Sequence, residues 1–264
     1  MKLSACITIY ERPISVLDTV FASMKEQAHD EFIIVLDRTP PHLSEYVKTW
    51  WRSDQRTRFV DVLGEPGWRS PVKAWNRGYA QVTGDHLYCF SSETVQAAGN
   101  IEKAKKFLID YPAAYFGKAE CSCSPAPGEG EIDWGGKAPG NLFVDADHPR
   151  PLGFIWAGPM DNVRQIGGYD EGFSNGFWHD DTDFMLRLWR TGLDFVFDDS
   201  INGVHLHHER PVLFTQQGCD GIKINTDYMF EKHGTSEPWD NLHGRNLLLR
   251  LTESRPGRTV WRHL

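Results

Sequence analysis

Phe32-Ile33-Ile34-Val35-Leu36-Asp37 is the stretch whose reading decides the fold class. Five apolar residues in a row, with no polar alternate, describe a strand buried on both faces, as in parallel sheets covered by helices on either side. Upstream, Ser4 to Tyr10 reads as another buried strand, Glu11-Arg12-Pro13 as a loop, and Ile14 to Glu26 as a helix with Val16, Leu17, Val20, Phe21 and Met24 on one face. Downstream, a helix around His42 to Trp51 leads to a strand over Thr57 to Leu63 and then to the Gly64-Glu65-Pro66-Gly67 loop. Pro71 opens a helix containing Lys73-Ala74-Trp75-Asn76-Arg77-Gly78, and after Gly84-Asp85 comes the strand His86 to Phe90. Strand alternating with helix predicts an α/β fold, a Rossmann-like and mostly parallel central sheet with helices on both faces.

Asp37 then falls at the carboxyl end of its strand, where open parallel sheets bind ligands. It reads either as an acid accepting hydrogen bonds from a base or ribose, or as a solvated loop residue before the Pro40-Pro41 turn. The same position on the next strand but one carries Ser91-Ser92-Glu93, a polar triplet able to share a divalent cation with phosphate oxygens or to form a plain serine-rich turn.

The second half of the chain is organised differently. Ile101 to Asp110 reads as a helix and Ala113 to Gly117 as a strand, after which Cys121 to Gly140 dissolves into Ser, Pro and Gly around Trp134, the pattern of a lid or binding loop. Phe154-Ile155-Trp156 and Met160 to Ile166 lead into Gly167-Gly168-Tyr169-Asp170-Glu171, followed by Phe177-Trp178-His179-Asp180-Asp181-Thr182-Asp183-Phe184. Phe184, Met185, Leu188 and Trp189 mark one face of a helix that Gly192 ends, so Asp180, Asp181 and Asp183 occupy its first turn. Carboxylates there cap free N–H groups and complement the helix dipole. Crowded against one another and beside large aromatics, they also perturb one another's protonation, as catalytic acids do. Asp194 to Phe197 and Ile201 to Val204 read as short strands ending at His205-Leu206-His207, where alternation puts His205 and His207 on one face, suited to a metal or simply to packing. Arg210 to Leu264 has weak periodicity, and its last twenty residues carry Arg245, Arg250, Arg255, Arg258 and Arg262 around Leu247-Leu248-Leu249. That segment reads as a packed helix with solvated arginines, or as a weak contact to an anionic surface or partner.

The 264 residues suffice for one sizeable domain, and a net charge of −8 gives no global field that would draw the chain onto nucleic acid or acidic lipid. Five cysteines, with one C-x-C pair, predict reduced structural thiols rather than a disulfide framework or zinc site. No apolar run reaches membrane-spanning length and Met1 to Tyr10 is too short for a signal peptide, so the expectation is a soluble, cytoplasmic protein.

In this order the pieces resemble the GT-A glycosyltransferases, in particular the family 2 group and the galactosyltransferase-like enzymes, over roughly Lys2 to His208. Ser4 to Pro13 is similar to the first strand and its Arg-Pro loop, Phe32 to Asp37 to the strand ending in the nucleotide-reading Asp, and Ala74 to Gly78 with Gly84-Asp85 to the A-R-N-x-G segment. Gly167 to Glu171 with Asp180-Asp181 is similar to the G-G-[FY]-D-E and E-D pair, the most specific signal of the set. The pattern is departed from in three places: Ser91-Ser92-Glu93 stands where the family has Asp-x-Asp, Asp180 where it has Glu, and Trp75 where it has Arg.

The resemblance implies a domain over 1–208, with a nucleotide-sugar half over 1–100 and an acceptor half over 101–208, plus a C-terminal extension over 209–264. It implies transfer of a sugar from a nucleoside-diphosphate sugar, a UDP-sugar favoured, to an acceptor hydroxyl, with Asp181 as base, Asp180 assisting, and inversion at the anomeric carbon. Thr8, Tyr10, Arg12, Asp37, Lys73, Arg77, Ser91 and Ser92 would hold the donor, and Trp134, Trp156 and Trp178 would stack on sugar faces. A divalent cation, Mn2+ or Mg2+, would rest on Glu93 and His205. With one carboxylate of the motif gone, the alternatives are weak metal binding, or none, with Arg12, Lys73 or Arg77 taking the phosphate charge. A non-catalytic sugar-nucleotide or glycan binder is the other class of function. A nucleotidyltransferase ranks last, because no glycine-rich, lysine-bearing phosphate loop follows the first strand.

Overall fold

A computed structural model of the chain describes residues 1–64, 69–121, 142–144, 146, 149, 151–206, 215–236 and 249–263. Its first half is a regular alternation: β1 (Leu3–Ile9), α1 (Ile14–Lys25), β2 (Glu31–Asp37), α2 (Pro41–Trp51), β3 (Thr57–Val62), α3 (Val72–Tyr79) and β4 (His86–Phe90). These four strands are parallel in the order β3-β2-β1-β4, so the chain starts in the middle and builds outward on both sides. The strand alternation explains the unbroken apolar runs. Cys6, Ile33 and Val35 belong to one core, with Val72, Ala74 and Phe184, whereas Ala5, Ile7, Phe32, Ile34 and Leu36 belong to a second, with Leu17, Phe21 and Leu43. Each strand therefore buries both its faces, one under α3 and the other under α1 and α2. Gly78 lets α3 lie against the sheet, since a Cβ there would come within 2.6 Å of Val35 and 2.9 Å of Cys6.

The second half adds β5 (Thr94–Gln96), α4 (Asn100–Asp110), β6 (Ala114–Cys121), β7 (Leu142–Val144), β8 (Ile155–Pro159), α5 (Met160–Gln165), a 3₁₀ turn over Glu171–Asn175, α6 (Asp180–Trp189), β9 (Phe195–His205), α7 (Gln216–His233), β10 (Leu249–Arg255) and β11 (Arg258–His263). The main sheet runs β10-β11-β9-β6-β8-β4-β1-β2-β3, with β5 beside β9 and β7 beside β6. Along that path β8 and β11 run against the common direction, which makes the sheet mixed α/β and mostly parallel. No helix among the described residues is long and apolar enough to cross a membrane.

Three expectations change. The two short strands over 194–197 and 201–204 are one strand, β9, whose pairing with β6 jumps from Gly117↔Asp198 to Lys118↔Asn202. The polar Asp198-Asp199-Ser200 stretch is a bulge, in which Asp198 accepts from Ser200 N at 2.8 Å, not a break between strands. The basic C-terminus is a β-hairpin, not a helix. It turns at Pro256-Gly257, where Gly257 has φ 75°, and β11 pairs with β9 while Trp261 packs on Phe197 at 4.9 Å. Two of its arginines are paired within the chain, Arg258 with Asp198 and Arg262 with Asp194, which leaves them less free for an outside partner. Finally, α7 arises in sequence with no strong periodicity, started by the Thr215 side chain accepting from Gly218 N and ended by Gly234 at φ 74°. The Cys121 to Gly140 stretch beyond its first residue, Trp134 and His207 lie outside the described residues.

Candidate active site

The chain reverses its building direction at β1, and the carboxyl ends of β1, β2 and β4 diverge there to leave a cleft. Thr8, Tyr10 and Arg12 come from β1 and its loop, Asp37 from the end of β2, and Ser91, Ser92 and Glu93 from the end of β4. The opposite wall brings Asp180, Asp181 and Tyr169, with Arg69, Pro71, Trp75, Gly153 and Phe154 between. The fold thus brings Asp181 into one crevice with Asp37 and Glu93.

The start of α6 is shaped to aim its acids. Trp178 and His179 both have left-handed backbones, φ 66° and 60°, a strained arrangement for side-chain-bearing residues. Asn225 of α7, fully buried, restrains it by donating to the carbonyls of Trp178 at 2.9 Å and Phe173 at 3.1 Å. Asp180 Oδ2 accepts from Ser70 Oγ at 2.6 Å, and Asp181 Oδ1 accepts from the Tyr169 hydroxyl at 2.8 Å. Tyr169 is fixed in turn: its ring stacks on Phe184 at 4.2 Å, and Asn76 holds its backbone from both sides, Oδ1 accepting from Tyr169 N at 2.8 Å and Nδ2 donating to Tyr169 O at 2.9 Å. Gly168, at φ 75°, must be glycine, because a Cβ would lie 2.4 Å from Asn76 Oδ1.

Both acids line the cleft and are half-buried, and their electrostatics follow from their surroundings. Burial first, and the Asp180 charge second, push Asp181 up to about 7, against the Tyr169 hydroxyl and the Gly153 N–H, which favour its anion. Burial also raises Asp180, against Ser70 and the N–H groups of the helix start. Tyr169, raised well above its ordinary range by burial and by both acids, keeps its proton and remains a donor.

Asp37 is buried and held by both arms of its neighbour, Arg38 Nε to Oδ1 and Nη2 to Oδ2, each at 2.8 Å, with the Arg38 guanidinium 5.1 Å from the Tyr10 ring. Glu93 is likewise buried, and its carboxylate is engaged by Arg12 through Nε and Nη2. This bears directly on a metal. A divalent cation needs anionic oxygens, yet the acid at the position of the family motif already neutralises a guanidinium. Glu93 and His205 are brought side by side, with Leu206 N donating to the Glu93 carbonyl at 2.7 Å, but His205 is buried with its ring edge-on to Phe154 at 5.1 Å. Among the described residues no three His, Cys, Asp or Glu side chains converge as a donor set. The described residues do not fit the expected cation.

Other expected site residues are elsewhere. Trp156 is a core residue, 1% exposed and edge-on to Phe184 at 5.5 Å, so it is not a sugar platform; its place in an inward-facing strand position decides this. Lys73 and Arg77 lie one turn apart on the exposed face of α3, opposite buried Ala74, Trp75 and Gly78, and do not line the cleft. Trp178 is 54% exposed immediately before the acids, outside the lining. The sequence reading missed Arg69, Ser70, Gly153, Phe154 and the hydroxyl of Tyr169. For Tyr169 the signal was present, inside the Gly167 to Glu171 motif; Ser70 precedes the helix-opening Pro71; Arg69 and Gly153 carry none.

No family model and no curated protein matches this sequence. Solved structures do match in fold. The chain is similar to the mannosyltransferase PcManGT from Pyrobaculum calidifontis, in complex with GDP-Man and Mn2+, at 13% identity and a TM-score of 0.59, covering 87% of this chain and 64% of that one. It is similar to residues 1–349 of S. aureus TarS in complex with UDP-GlcNAc, at 12% identity and a TM-score of 0.59, covering 94% and 77%. GalNAc-T7 with UDP, GalNAc and Mn2+ gives 13% identity and a TM-score of 0.59, covering 92% and 53%. The chain therefore spans less than two thirds of the mannosyltransferase and of GalNAc-T7. These likenesses establish the GT-A glycosyltransferase fold expected from the sequence.

Proposed function

We propose that this GT-A chain transfers a sugar from a nucleoside-diphosphate sugar to an acceptor hydroxyl, with Asp181 as general base. The observation that carries the reading is the meeting, in one cleft at the carboxyl ends of the parallel strands, of Asp181, raised to about 7, with Asp37 and Glu93. A base with that proton affinity is matched to neutral pH. Tyr169 donates to Oδ1 and the Gly153 N–H donates to the same carboxylate, whose remaining lone pairs take the acceptor's proton. As the acceptor oxygen bonds to the anomeric carbon, the bond from that carbon to the donor phosphate breaks and its electron pair leaves with the nucleoside diphosphate. Attack from the face opposite the leaving group inverts the centre. Arg12 and Arg69 supply positive charge at the cleft for the departing diphosphate. Thr8, Tyr10 and Asp37 seat the nucleoside, and the exposed Trp178 offers a flat face to the acceptor. The cleft volume is about 190 Å³, below the ~300–1,000 Å³ usual for ligand pockets, so the donor reaches beyond it. A UDP-sugar is favoured, since TarS is solved with UDP-GlcNAc and GalNAc-T7 with UDP.

A second reading is favoured by the Arg12–Glu93 pair: a sugar-nucleotide binder that has lost the metal acid and does not turn over. A panel of UDP- and GDP-sugars, assayed for cleavage with manganese and with chelator, separates the two. The transferase reading expects slow release of the nucleoside diphosphate from at least one donor. Binding of donors without cleavage would replace it with the second.

A further inference from the structure

The acid at the metal position is buried and committed to an arginine that lines the donor cleft, and this pairing has a use of its own. We infer that Arg12, seated on Glu93, is the clamp for the donor's diphosphate, standing where a divalent cation would otherwise bind, with Glu93 as its positioning residue. The inference rests on the transferase reading for the identity of the ligand, but the clamp is a property of these side chains alone.

A guanidinium has five N–H donors in a planar fork. Arg12 uses Nε and Nη2 on Glu93 and one Nη1 hydrogen on the Glu11 carbonyl at 2.7 Å, which leaves a hydrogen on each terminal nitrogen. N–H groups left on an arginine that lines the cleft suit phosphate oxygens. The guanidinium is gripped on its other sides, so little freedom is lost when a phosphate binds. The Arg12 side chain is 16% exposed, enough to be reached and too little to be loosely solvated. Arg69, which also lines the cleft, adds a second cation. A cation ligated by Glu93 would meet the positive charge of Arg12 at close range.

Titration calorimetry with UDP, GDP and inorganic pyrophosphate, each in EDTA and in manganese, tests the clamp on the whole chain. The expected result is pyrophosphate and UDP affinity that differs less than about twofold between the two conditions. Arg12→Gln should weaken both ligands by ~10–100-fold in either condition, with Arg12→Lys in between. Glu93→Gln should weaken them by about 3–10-fold, and the double variant should bind no worse than Arg12→Gln alone, a non-additivity that a merely structural role for Glu93 would not produce. Circular dichroism on each variant excludes loss of fold. Affinity that rises tenfold or more with manganese and loses that gain in Glu93→Gln overturns the clamp while leaving the transferase reading intact. Pyrophosphate binding that depends on Arg12, with no binding of either nucleotide, keeps the clamp and removes the sugar-nucleotide reading. Failure of all three ligands overturns both.

Discussion

Two groups of buried acids sit at opposite ends of the same parallel strands and behave in opposite ways. Glu31, at the amino end of β2, accepts from Ser4 Oγ at 2.6 Å, from Thr83 N at 3.0 Å and from Thr83 Oγ1 at 2.9 Å, and pairs with Arg58. Burial works to raise it, but these donors and the Arg58 charge outweigh burial and bring it down to about 2. Asp181, at the carboxyl end, has a hydroxyl, one backbone N–H and a second anion for company, and burial wins. Asp183, two residues along the same helix, is buried and paired as a structural acid, meeting Arg187 at 2.7 Å, Lys232 at 2.7 Å and His233 at 2.8 Å, and it ties α6 to α7. What separates Glu31 from Asp181 is the number of donors and cations around each carboxylate. Where acids hold structure, they are surrounded by donors and cations; in the cleft Asp37 and Glu93 are paired with arginines in the same way, whereas Asp181 has a neighbouring anion instead of a cation.

The largest effect that would break this contrast is on turnover. Replacing a general base typically costs about 10²–10⁴ in rate, so Asp181→Asn should lower kcat by that factor while leaving UDP affinity within about twofold. Single-turnover kinetics with the best donor, alongside calorimetry, read the two separately. Retained turnover would move Asp181 into the same class as Asp183.

Next in size is the loss expected at the other end. Glu31→Ala leaves Ser4, Thr83 and Arg58 without their shared acceptor and should destabilise the protein by ~2–4 kcal/mol, less than a fully enclosed pair because Arg58 is 41% exposed. Urea denaturation measures this, and the nucleotide affinity should not change. The pH sign follows from the depressed value. The stabilisation from Glu31 is complete above the ordinary carboxylate range and is lost as pH falls toward about 2, so the wild type should lose this increment on acidification and Glu31→Ala should not.

How much of this contrast was legible in the sequence varies along the chain. The first half was, because Phe32 to Leu36 and Ser4 to Ile9 are continuous apolar runs and the helices between keep a clear period. Asp180 and Asp181 were legible as a crowded first turn, but not their distinction from Asp183, which depends on Lys232 and His233 some fifty residues away. Lys73 and Arg77 were misjudged as cleft cations because charge was read without helical phase; buried Val72, Ala74, Trp75 and Tyr79 turn them outward. Trp156 was misjudged for the converse reason, since a tryptophan in an apolar strand is first a core residue. The Leu247-Leu248-Leu249 run drew the C-terminus toward a helix, although Arg255-Pro256-Gly257-Arg258 carried a turn signal for the hairpin. The Arg12–Glu93 pair was unreadable, because nothing local says that a residue after β1 will reach one after β4.

The smallest effect sharpens the comparison most, since it separates the two contributions to Asp181. If Asp181 takes the acceptor proton, it must be ionised first, so kcat/KM should rise through an acid limb near pH 7 and level off above it. Burial cannot be removed without damage, but the neighbouring charge can. Asp180→Asn keeps an oxygen for the Ser70 hydroxyl, at 2.6 Å in the wild type, and deletes the anion that opposes ionisation of Asp181. Without that repulsion the limb should move to lower pH, by about one unit at an apparent coupling of ~1.4 kcal/mol. Tyr169→Phe removes a donor that favours the anion and should move it the other way. A limb that stays put in Asp180→Asn would mean that burial alone sets the proton affinity and that the adjacent acid serves the ligand instead. A limb that moves to higher pH in that variant would assign the titration to some group other than Asp181.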